Sequence, residues 1–593
     1  MDAFPLIRTR WSNEHIMAAL FAVLVIYLVP GWLRNPAAFA GFLAVLAAAL
    51  LIDTAGNFLR YKRPACSVAA AVTAGILQVL TPEVPWWGRL LGVVFALLAG
   101  KHVWGGTGRN PFNPALIGFV AVSLLFGAGT SVFTTGFWLV PAVLLSLPFA
   151  ASRPYAAAGF SAGMLLALGV VHSLSVGNIL SSGIVFWSCL IVTDPVTVTR
   201  RPLTGAVSCF ASGFAALYLS GSPLAIAVGV LVVNGISKAL DFFPRKAPGT
   251  LRPSLRMKKL SPGFREQVDL LDLTGGEAEQ FTDVSGLSGD EILKRIEANG
   301  VFGYGGAAFP TSEKIRTVMK SDAIRKHLIV NAVECDPGLI HDKWLLKHHS
   351  DEILQGIGIL RKCVPFDTIT LAVKDAAGLE QPDGVKIHRL PDIYPVGAEK
   401  ILIEGILGQR ILPGTVPARL GILVLNVQTV LSVYEAVCKN RAAHARYLTV
   451  ANFKERDVRI VKVGLGTKIR EVMDKVYPGY GYAFAGGGAM QARIADDEAV
   501  VDKSVNFLAI GEYPRFKESP LCSRCGNCMA GCPAGLQVYE IARLVDEGRV
   551  REAGMLQAEQ CISCGSCSVV CLAGRNLSAR TKAAREYAGA SAR

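Results

Sequence analysis

The sequence predicts a multidomain protein in which a helical membrane region of about ten spans precedes a mixed α/β region and a cysteine-rich terminal domain. Three observations support this division. The first 246 residues are strongly apolar, two short apolar strands later in the chain end in polar residues, and eight cysteines lie close together near the C-terminus. The 593 residues also exceed the size at which a single hydrophobic core stops growing.

Residues 1–246 are predicted to form the membrane domain. They contain six acidic residues against fifteen lysines and arginines. Apolar segments that predict spans fall at 14–32, 36–54, 66–81, 86–104, 113–128, 132–150, 156–173, 178–194, 204–220 and 222–240. Most basic residues lie in alternate loops, so the positive-inside rule places those loops and both chain ends in the cytoplasm. The net charge of +14 does not indicate nucleic-acid binding, because the basic residues are not gathered on one polar face with aromatic residues.

Two polar segments interrupt the membrane domain, one at 105–115 and one at 193–197. Paired breaks of this kind are typical of unwound helices that line a binding site within the bilayer. An ionisable residue at membrane depth is commonly functional. The candidate residues are Asn110, Asn113, Asp194 and Thr197. The alternative is that both segments are ordinary cytoplasmic loops in which Asn and Asp cap helices.

A basic, proline-rich linker is predicted at 247–270, and we expect it to contact anionic membrane lipid. Beyond it, residues 303–311 read GYGGAAFPT and precede a helical pattern that contains Lys314. A glycine-rich turn before a helix leaves backbone N–H groups free for a phosphate and lets a flat ring approach the backbone. On its own, the segment is also compatible with a simple turn.

Two predicted strands, 327–333 and 421–427, end in polar residues. Asn331, Glu334 and Asp336 lie at the end of the first strand, and Asn426 lies at the end of the second. Open α/β sheets bind their ligands at the carboxyl ends of the strands. These side chains are therefore candidates for a common site.

The eight terminal cysteines form two runs with the spacing C-x2-C-x2-C-x3-C. In two-cluster ferredoxins, three thiolates of a run hold one 4Fe-4S cluster while the fourth reaches the other cluster. The first cluster is predicted to use Cys522, Cys525, Cys528 and Cys571. The second is predicted to use Cys561, Cys564, Cys567 and Cys532. The alternatives are structural zinc sites, which usually pair two separated C-x2-C motifs, or a disulfide framework.

Helical spacing continues through residues 537–560, between the two runs, and favours a helical ferredoxin domain. The basic tail from 575 to 593 is predicted to be a solvated helix end.

The membrane motifs GGTGRNPFNPALIG (105–118), TDPVT (193–197) and VVNGISKALDFF (232–243) resemble the D subunit of the Rnf complex and the B subunit of the sodium-pumping NADH:quinone oxidoreductase. The resemblance covers about residues 1–246 and implies a ten-helix fold related to urea and ammonium transporters. Those subunits carry FMN covalently on a threonine in a long extracytoplasmic insertion. This chain has short loops there, and its nearest string, TGAV (204–207), lies at the other face. Covalent FMN is therefore not expected, and a second flavin in the membrane domain is left open.

The glycine-rich segment, the two strand ends, the string YPVGAEK (394–400) and the cysteine runs together resemble the C subunit of the Rnf complex and the FMN- and NADH-binding subunit of respiratory complex I. The resemblance implies non-covalent FMN, with NADH stacked on the flavin. The implied cofactor-binding residues are Gly303, Gly305, Gly306, Phe309, Lys314, Asn331, Glu334, Asp336, Glu399 and Asn426. Those families have Gly at the position of Ala308 and Glu at the position of Asp336. They also imply a small β-grasp domain that binds soluble ligands in some relatives, at 455–512.

The whole chain is thus similar to a fusion of the two Rnf subunits. The expected domains are 1–246 (membrane), 247–270 (linker), 271–454 (FMN and NAD(P)H), 455–512 (β-grasp) and 513–593 (two-cluster ferredoxin and tail). The implied activity is electron transfer between NAD(P)H and a ferredoxin or dedicated redox partner, in the cytoplasmic membrane of a prokaryote and with other Rnf-like subunits as candidate partners. The alternatives are a non-pumping reductase on a membrane anchor and a redox-regulated transporter.

Overall fold

The computed structural model describes residues 12–62, 65–127, 153–171, 175–194, 196–199, 201–242, 265–275, 281–306, 308–374, 382–511 and 518–591. The predicted span at 132–150 and the linker residues 247–264 lie outside the described residues.

Helices occupy each of the remaining predicted spans. They are α1 (Asn13–Arg34), α2 (Pro36–Tyr61), α3 (Val68–Leu80), α4 (Trp86–Leu97), α5 (Pro114–Phe126), α6 (Pro154–Val171), α7 (Val176–Ser181), α8 (Ile184–Phe186), α9 (Pro202–Leu219) and α10 (Pro223–Phe242). In the described part of the chain, five helices are long and apolar enough to cross a membrane: α1, α2, α6, α9 and α10. The first half of the chain is therefore a helical membrane domain.

Glycines bring the membrane helices into close contact. A Cβ atom on Gly159 or Gly163 of α6 would lie 2.2 Å or 2.1 Å from a backbone oxygen of α9. A Cβ on Gly118 of α5 would lie 2.4 Å from the carbonyl oxygen of Gly92 in α4. Lipid supplies no hydrophobic force between helices, so packing through small residues is a main source of their association.

A single π-helical turn precedes each polar break. Leu98–His102 follows α4 and leads into the first break, and Trp187–Ile191 follows α8 and leads into the second. Isolated π-helical turns are rare and occur frequently at functional sites. The two breaks thus share a local backbone feature that the sequence pattern did not predict.

Ten strands form two sheets in the described residues that follow the membrane domain. They are β1 (Arg265–Asp272), β2 (His327–Ala332), β3 (Thr368–Val373), β4 (Lys386–Arg389), β5 (Ile422–Asn426), β6 (Ala445–Asn452), β7 (Asp457–Gly464), β8 (Ala483–Gly486), β9 (Arg493–Ile494) and β10 (Phe507–Ile510). The helices of these domains are α11 (Gly289–Ala298), α12 (Thr311–Met319), α13 (His341–His348), α14 (Ser350–Cys363), α15 (Glu399–Leu407), α16 (Val427–Cys438) and α17 (Ile469–Val476).

The first sheet is parallel throughout and has the order β4-β3-β2-β5. Leu328 and Val330 of β2 pack into the core on one face, and Ile329 packs into the core on the other. Burial on both faces explains the apolar runs in the central part of β2 and in β5. The predicted strands 327–333 and 421–427 are confirmed as β2 and β5.

The second sheet has six strands in the order β1-β7-β6-β10-β8-β9. It corrects two expected domain boundaries. Residues 265–270, expected in the linker, belong to β1, which pairs in parallel with β7. Strand β6, expected to end the FMN and NAD(P)H domain, pairs antiparallel with β7 through a short turn at 453–456. The expected boundary at 454/455 therefore cuts through a hairpin.

The terminal domain is built from short helices: α18 (Asn527–Ala530), α19 (Val538–Asp546), α20 (Val550–Gly554), α21 (Ser566–Val569) and α22 (Leu577–Ser591). The predicted helical stretch 537–560 is divided at Gly548, whose φ of +75° ends the first helix. The prediction of a solvated tail is wrong for α22, because Leu577, Thr581 and Ala584 form a buried stripe on this helix.

Candidate redox site

The carboxyl ends of β2 and β5 bring two predicted residues together. Asn331 and Asn426 are direct partners in the parallel pairing of the strands. The amide of Asn426 donates to the backbone oxygen of Asn331 at 3.4 Å and to the Asp342 carboxylate at 2.7 Å. The amide of Asn331 donates to the Gly397 carbonyl at 3.0 Å. Both asparagines are thus held in fixed orientations at the sheet edge.

Glu334 lies beside this pair and forms a buried acidic cluster with Asp342. Its two carboxylate oxygens accept the backbone N–H groups of Asp342 and Lys343 at 2.6 and 3.2 Å. Burial, reinforced by the neighbouring Asp342, raises the pKa of Glu334 to about 8. Burial raises the pKa of Asp342 to about 7. The carboxyl groups of Glu334 and Asp342 therefore retain at least one proton between them near neutral pH.

His341 completes a group of three potential metal ligands with Glu334 and Asp342, whose ligand atoms lie within 4.8 Å of one another. Burial lowers the pKa of His341 to about 3, so its ring is neutral. Both oxygens of Glu334 already accept backbone N–H groups. The two acids are thus held by backbone N–H groups and by the Asn426 amide.

The glycine-rich loop closes on itself in front of β5. The N–H of Gly303 donates to the Phe309 carbonyl at 2.9 Å. A Cβ atom on Gly305 would lie 3.7 Å from Cβ of Asn426, so the loop lies close to the strand-end pair. Gly306 has a φ of +97°, and Ala308 has a φ of +50°. Left-handed backbone favours glycine, which is the residue that the family resemblance implies at the position of Ala308.

Lys314 and Glu399, which are far apart in sequence, also meet here. The Lys314 ammonium donates to the Glu399 carboxylate and to the Val424 carbonyl of β5, both at 2.8 Å. Phe309 keeps 49% of its surface exposed at the mouth of the loop. The predicted loop and strand-end residues thus surround one edge of the sheet.

Asp336 has a different environment from the other predicted residues. Its carboxylate accepts the Met490 N–H at 3.4 Å, and a Cβ atom on Gly488 would lie 2.3 Å from it. Burial raises the pKa of Asp336 to about 7. Asp336 therefore joins the parallel sheet to the six-stranded domain, and Gly488 of the glycine run allows this close packing.

These residues fit an FMN group. The loop offers a backbone without side chains at its glycines, and the asparagines offer oriented amides. Oδ1 of Asp342 is buried and has no hydrogen-bond partner among the described residues, so it remains available to a ligand.

The cysteines converge in two groups. The thiol of Cys571 lies close enough to Cys522 and Cys525 to interact electrostatically with them. The same holds for Cys564 with Cys532 and Cys561. Burial raises the pKa of Cys571 to about 11 and that of Cys564 to about 12. The grouping suits two iron–sulfur clusters, since a metal stabilises thiolates that burial alone would disfavour.

The second cysteine run contacts the corner formed by Asp336 and Met490. The Tyr394 hydroxyl donates to the Cys564 carbonyl at 2.7 Å, and the Gln491 amide donates to the Ser563 carbonyl at 2.8 Å. A Cβ atom on Gly565 would lie 2.7 Å from the Met490 carbonyl. This run is therefore adjacent to the candidate flavin site.

The first cysteine run contacts the membrane domain. Arg153 donates to the Cys525 carbonyl at 2.5 Å. A Cβ atom on Gly108 would lie 1.8 Å from the Cys522 carbonyl oxygen, so the membrane break at Gly108 is in direct contact with the backbone of Cys522. The second cysteine run thus lies against the candidate flavin site, and the first run lies against the membrane domain.

Both membrane breaks contact α10. The N–H of Asn113 donates to the Asn234 side-chain oxygen at 3.0 Å. One turn further along α10, the Lys238 ammonium donates to the Val196 carbonyl at 2.6 Å. The amide nitrogen of Asn234 is buried and has no hydrogen-bond partner among the described residues.

The remaining membrane candidates make local hydrogen bonds. Asp194 accepts from the Val196 N–H at 3.0 Å and from the Thr197 hydroxyl at 2.9 Å. The amide of Asn110 donates to the Phe112 carbonyl at 2.9 Å. Asp194 and Thr197 are thus brought together, while Asn110 stabilises its own loop.

A buried ionic cluster in the membrane domain was not predicted from the sequence. Asp53 on α2 is fully buried and lies 2.7 Å from the Lys101 ammonium and 3.1 Å from the His102 ring. A Cβ atom on Gly56 would lie 2.4 Å from the His102 ring, so the absence of a side chain at Gly56 leaves room for that ring. The available signal was an acid inside the predicted span 36–54.

Comparison with known proteins gives three family matches along the chain. Residues 1–162 match the NQR2, RnfD, RnfE family, residues 296–435 match the Nuo51 FMN-binding domain, and residues 521–575 match the 4Fe-4S dicluster domain.

Several curated proteins are similar to about half of this chain. The C subunit of the ion-translocating oxidoreductase complex of Haemophilus influenzae is 31% identical over 49% of this chain and 46% of its own length. Cobalamin reductase PduS of Salmonella typhimurium is 30% identical over 49% of this chain and 69% of its own length. The C subunit of the Na+-translocating ferredoxin:NAD+ oxidoreductase complex of Acetobacterium woodii is 26% identical over 46% of this chain and 65% of its own length. The chain thus spans less than half of the Haemophilus relative.

Proposed function

The chain belongs to the iron–sulfur flavoprotein family that contains these two C subunits and cobalamin reductase, joined to an RnfD-type membrane domain, and we propose that it transfers electrons between NAD(P)H and a low-potential protein partner. FMN would accept the electron pair of the nucleotide as a hydride, and each of two 4Fe-4S clusters would carry one electron at a time. A ferredoxin or a dedicated partner enzyme, and other Rnf-like subunits, are the proposed partners.

The observation that carries the proposal is the order of the sites. The Cys564 loop contacts Tyr394 and Gln491 beside the strand-end residues, and the Cys522 loop contacts Gly108 of the membrane domain. An electron leaving the strand-end site would therefore meet the second cysteine group first and the first group next. We propose that both chain ends lie on the cytoplasmic side of a prokaryotic membrane, where nicotinamide nucleotides are available.

The residues around the flavin site have proposed roles that follow from their contacts. The glycine loop would receive the phosphate and the ring. Asn331 and Asn426 would orient the ring through their fixed amides. The protonated pair Glu334 and Asp342 would keep the net negative charge low next to a reduced flavin. The six-stranded domain, proposed as a β-grasp domain, would hold the flavin and cluster units together through Asp336.

Ion translocation is a second candidate function. The buried Asp53–Lys101–His102 cluster favours it, because ionisable residues inside a membrane domain commonly mark ion pathways. The competing hypothesis is a reductase in which the membrane domain serves only as an anchor. A urea-transporter-like arrangement of ten spans is part of the same proposal.

The first experiment is cofactor analysis of the detergent-purified protein followed by anaerobic titration with NADH and with NADPH. We expect one FMN released by acid, about eight irons, and bleaching of the cluster absorbance by one of the two nucleotides. Iron without flavin and without a nucleotide response would refute the hydride step. Flavin retained in the acid pellet would instead indicate a covalent attachment and a closer likeness to pumping complexes.

Two matched pairs of variants assign the cofactors. Cys567→Ser should remove about half of the iron, whereas Cys363→Ser, a buried cysteine outside the runs, should remove none. Gly306→Val should abolish FMN binding because valine is strained at a φ of +97°. Gly300→Val provides the control, since it also has a positive φ but lies outside the loop. Equal FMN loss in both glycine variants would contradict the proposed site.

A further inference from the structure

A large cavity lies between the membrane domain and the terminal domain. Its volume is about 670 Å3, and Tyr61, Thr107 and Cys522 are among the residues that line it. One wall comes from α2 and the first membrane break, and the other comes from the cysteine-run domain. The cavity is separate from the strand-end site and borders the first cysteine group.

Arginine dominates the lining. Six arginines line the cavity: Arg60, Arg109, Arg524, Arg543, Arg575 and Arg580. The lining holds three acids, Glu518, Asp546 and Glu547. Most of the arginines form ion pairs with these acids or with Glu540, but four carboxylates do not balance six guanidinium groups. The cavity therefore carries an excess of positive charge.

Among the six arginines, Arg60 has the clearest unused capacity to donate hydrogen bonds. It donates to the His102 carbonyl at 2.9 Å and has no carboxylate partner among the described residues. Planar guanidinium groups bind phosphate through paired hydrogen bonds, which makes arginine the usual residue for this purpose. Arg109 lies on the same wall of the cavity as Arg60 and pairs with Glu547 across the domain interface at 3.1 Å.

Thr107 provides an independent sign of a ligand. It is only 6% exposed, and its hydroxyl is buried without a hydrogen-bond partner among the described residues. Its neighbours Gly106 and Gly108 both have positive φ values, and a Cβ atom on Gly106 would lie 3.4 Å from Nε of Arg60. A buried hydroxyl without a partner is costly unless a ligand or water satisfies it. Thr107 thus offers a hydrogen bond to a molecule in the cavity.

We propose that this cavity binds a phosphate-bearing ligand, with Arg60, Arg109 and Thr107 as its main contacts. Tyr61 and Tyr539 add flat aromatic surface to the lining. This surface favours a phosphate ester of an aromatic compound, such as a mononucleotide, over a lipid headgroup. The ligand would lie between the first cysteine group and the membrane domain.

The test is 31P NMR of the full-length protein in a phosphate-free detergent, with its iron content verified. Three probes are used: inorganic phosphate, FMN and phosphatidylglycerol. Reduction by dithionite makes the clusters paramagnetic, so a phosphate bound in the cavity should show a broadened resonance in the reduced protein only. FMN is expected to compete with inorganic phosphate and to bind at least tenfold more tightly. Stronger broadening of phosphatidylglycerol than of FMN would identify a lipid headgroup as the phosphate source and overturn the aromatic preference.

Variants separate this cavity from the strand-end flavin site. Arg60→Gln and Thr107→Val should each weaken inorganic phosphate binding by about tenfold, the usual effect of losing one charge-assisted or buried hydrogen bond. Arg551→Gln removes an exposed charge from the same domain outside the cavity and should have no effect. Absence of binding, or binding that both variants leave intact, would overturn the proposal. The first outcome would mean that the arginines only balance the negative charge of the cluster.

Discussion

Gly108→Ala should loosen the contact between the first cysteine run and the membrane domain. The new Cβ would lie 1.8 Å from the Cys522 carbonyl oxygen, whereas real Cβ atoms stay beyond 3.0 Å, so the two backbones must separate by about 1.2 Å. That movement would stretch the hydrogen bond from Arg153 to the Cys525 carbonyl, now 2.5 Å, beyond hydrogen-bonding distance. A hydrogen bond from a charged group contributes about 1.5–3 kcal/mol, so the interface should weaken by this amount.

Gly127→Ala is the matched control for this prediction. Gly127 also has a positive φ, +65° against +79° for Gly108, but a Cβ atom there meets no described residue within 4 Å. Both variants thus carry the backbone cost of alanine in the left-handed region, about 1–2 kcal/mol, and only Gly108→Ala carries the clash.

Hydrogen–deuterium exchange of the full-length protein distinguishes the two variants. Backbone amides at 518–526 should exchange roughly tenfold or more faster in Gly108→Ala than in Gly127→Ala, because 1.4 kcal/mol corresponds to a factor of ten. Iron content should be unchanged, because the eight cysteines are retained. Equal exchange at 518–526 in both variants would show that the cysteine run does not depend on this contact.

Three further predictions concern other sites. Ala308→Gly should stabilise FMN-loaded protein by up to about 1 kcal/mol in thermal unfolding, because it relieves a φ of +50°; a lower melting temperature would contradict this. Asp53→Ala should destabilise the membrane domain by about 3–5 kcal/mol because it leaves the buried Lys101 ammonium unpaired, and adding Lys101→Met should restore much of the loss in detergent melting curves. Stability of flavin-free protein should fall as pH rises from about 4 through 8, since the pKa values of Glu334 and Asp342 are raised to about 8 and about 7 in the fold; Glu334→Gln should flatten this dependence in melting curves.

Sequence alone predicted the features that depend on local spacing. The strand ends at Asn331 and Asn426 follow from short apolar runs with polar termini, and the structure places them directly opposite each other. The cysteine runs are recognisable because cluster ligation fixes the spacing of thiols along the chain. Lys314 and Glu399 were both predicted, but their mutual contact depends on how α12 and α15 pack.

The unpredicted features depend on contacts between distant segments. Asp53 and Lys101 lie on different helices, and Lys101 looked like an ordinary basic loop residue because nothing local shows its burial. Asp336 follows a strand end as a ligand-binding residue would, yet its carboxylate accepts the Met490 N–H of the next domain. The domain boundary at 454/455 failed because pairing of β6 with β7 depends on sheet assembly, not on composition.

The placement of the first cysteine run argues against a membrane domain that serves only as an anchor. A membrane anchor needs only a covalent connection to the redox domains, and the linker at 247–264 supplies that connection without any further contact between the domains. Instead, Gly108 allows the membrane break to touch the backbone of Cys522, and Arg153 donates to the carbonyl of Cys525. Arg60 then links the adjoining cavity to the carbonyl of His102, whose ring contacts the buried Asp53. Contacts thus join the first cysteine run to the first membrane break, and Arg60 beside that break is joined to the buried ionic group, which supports the proposal that electron transfer is coupled to ion movement.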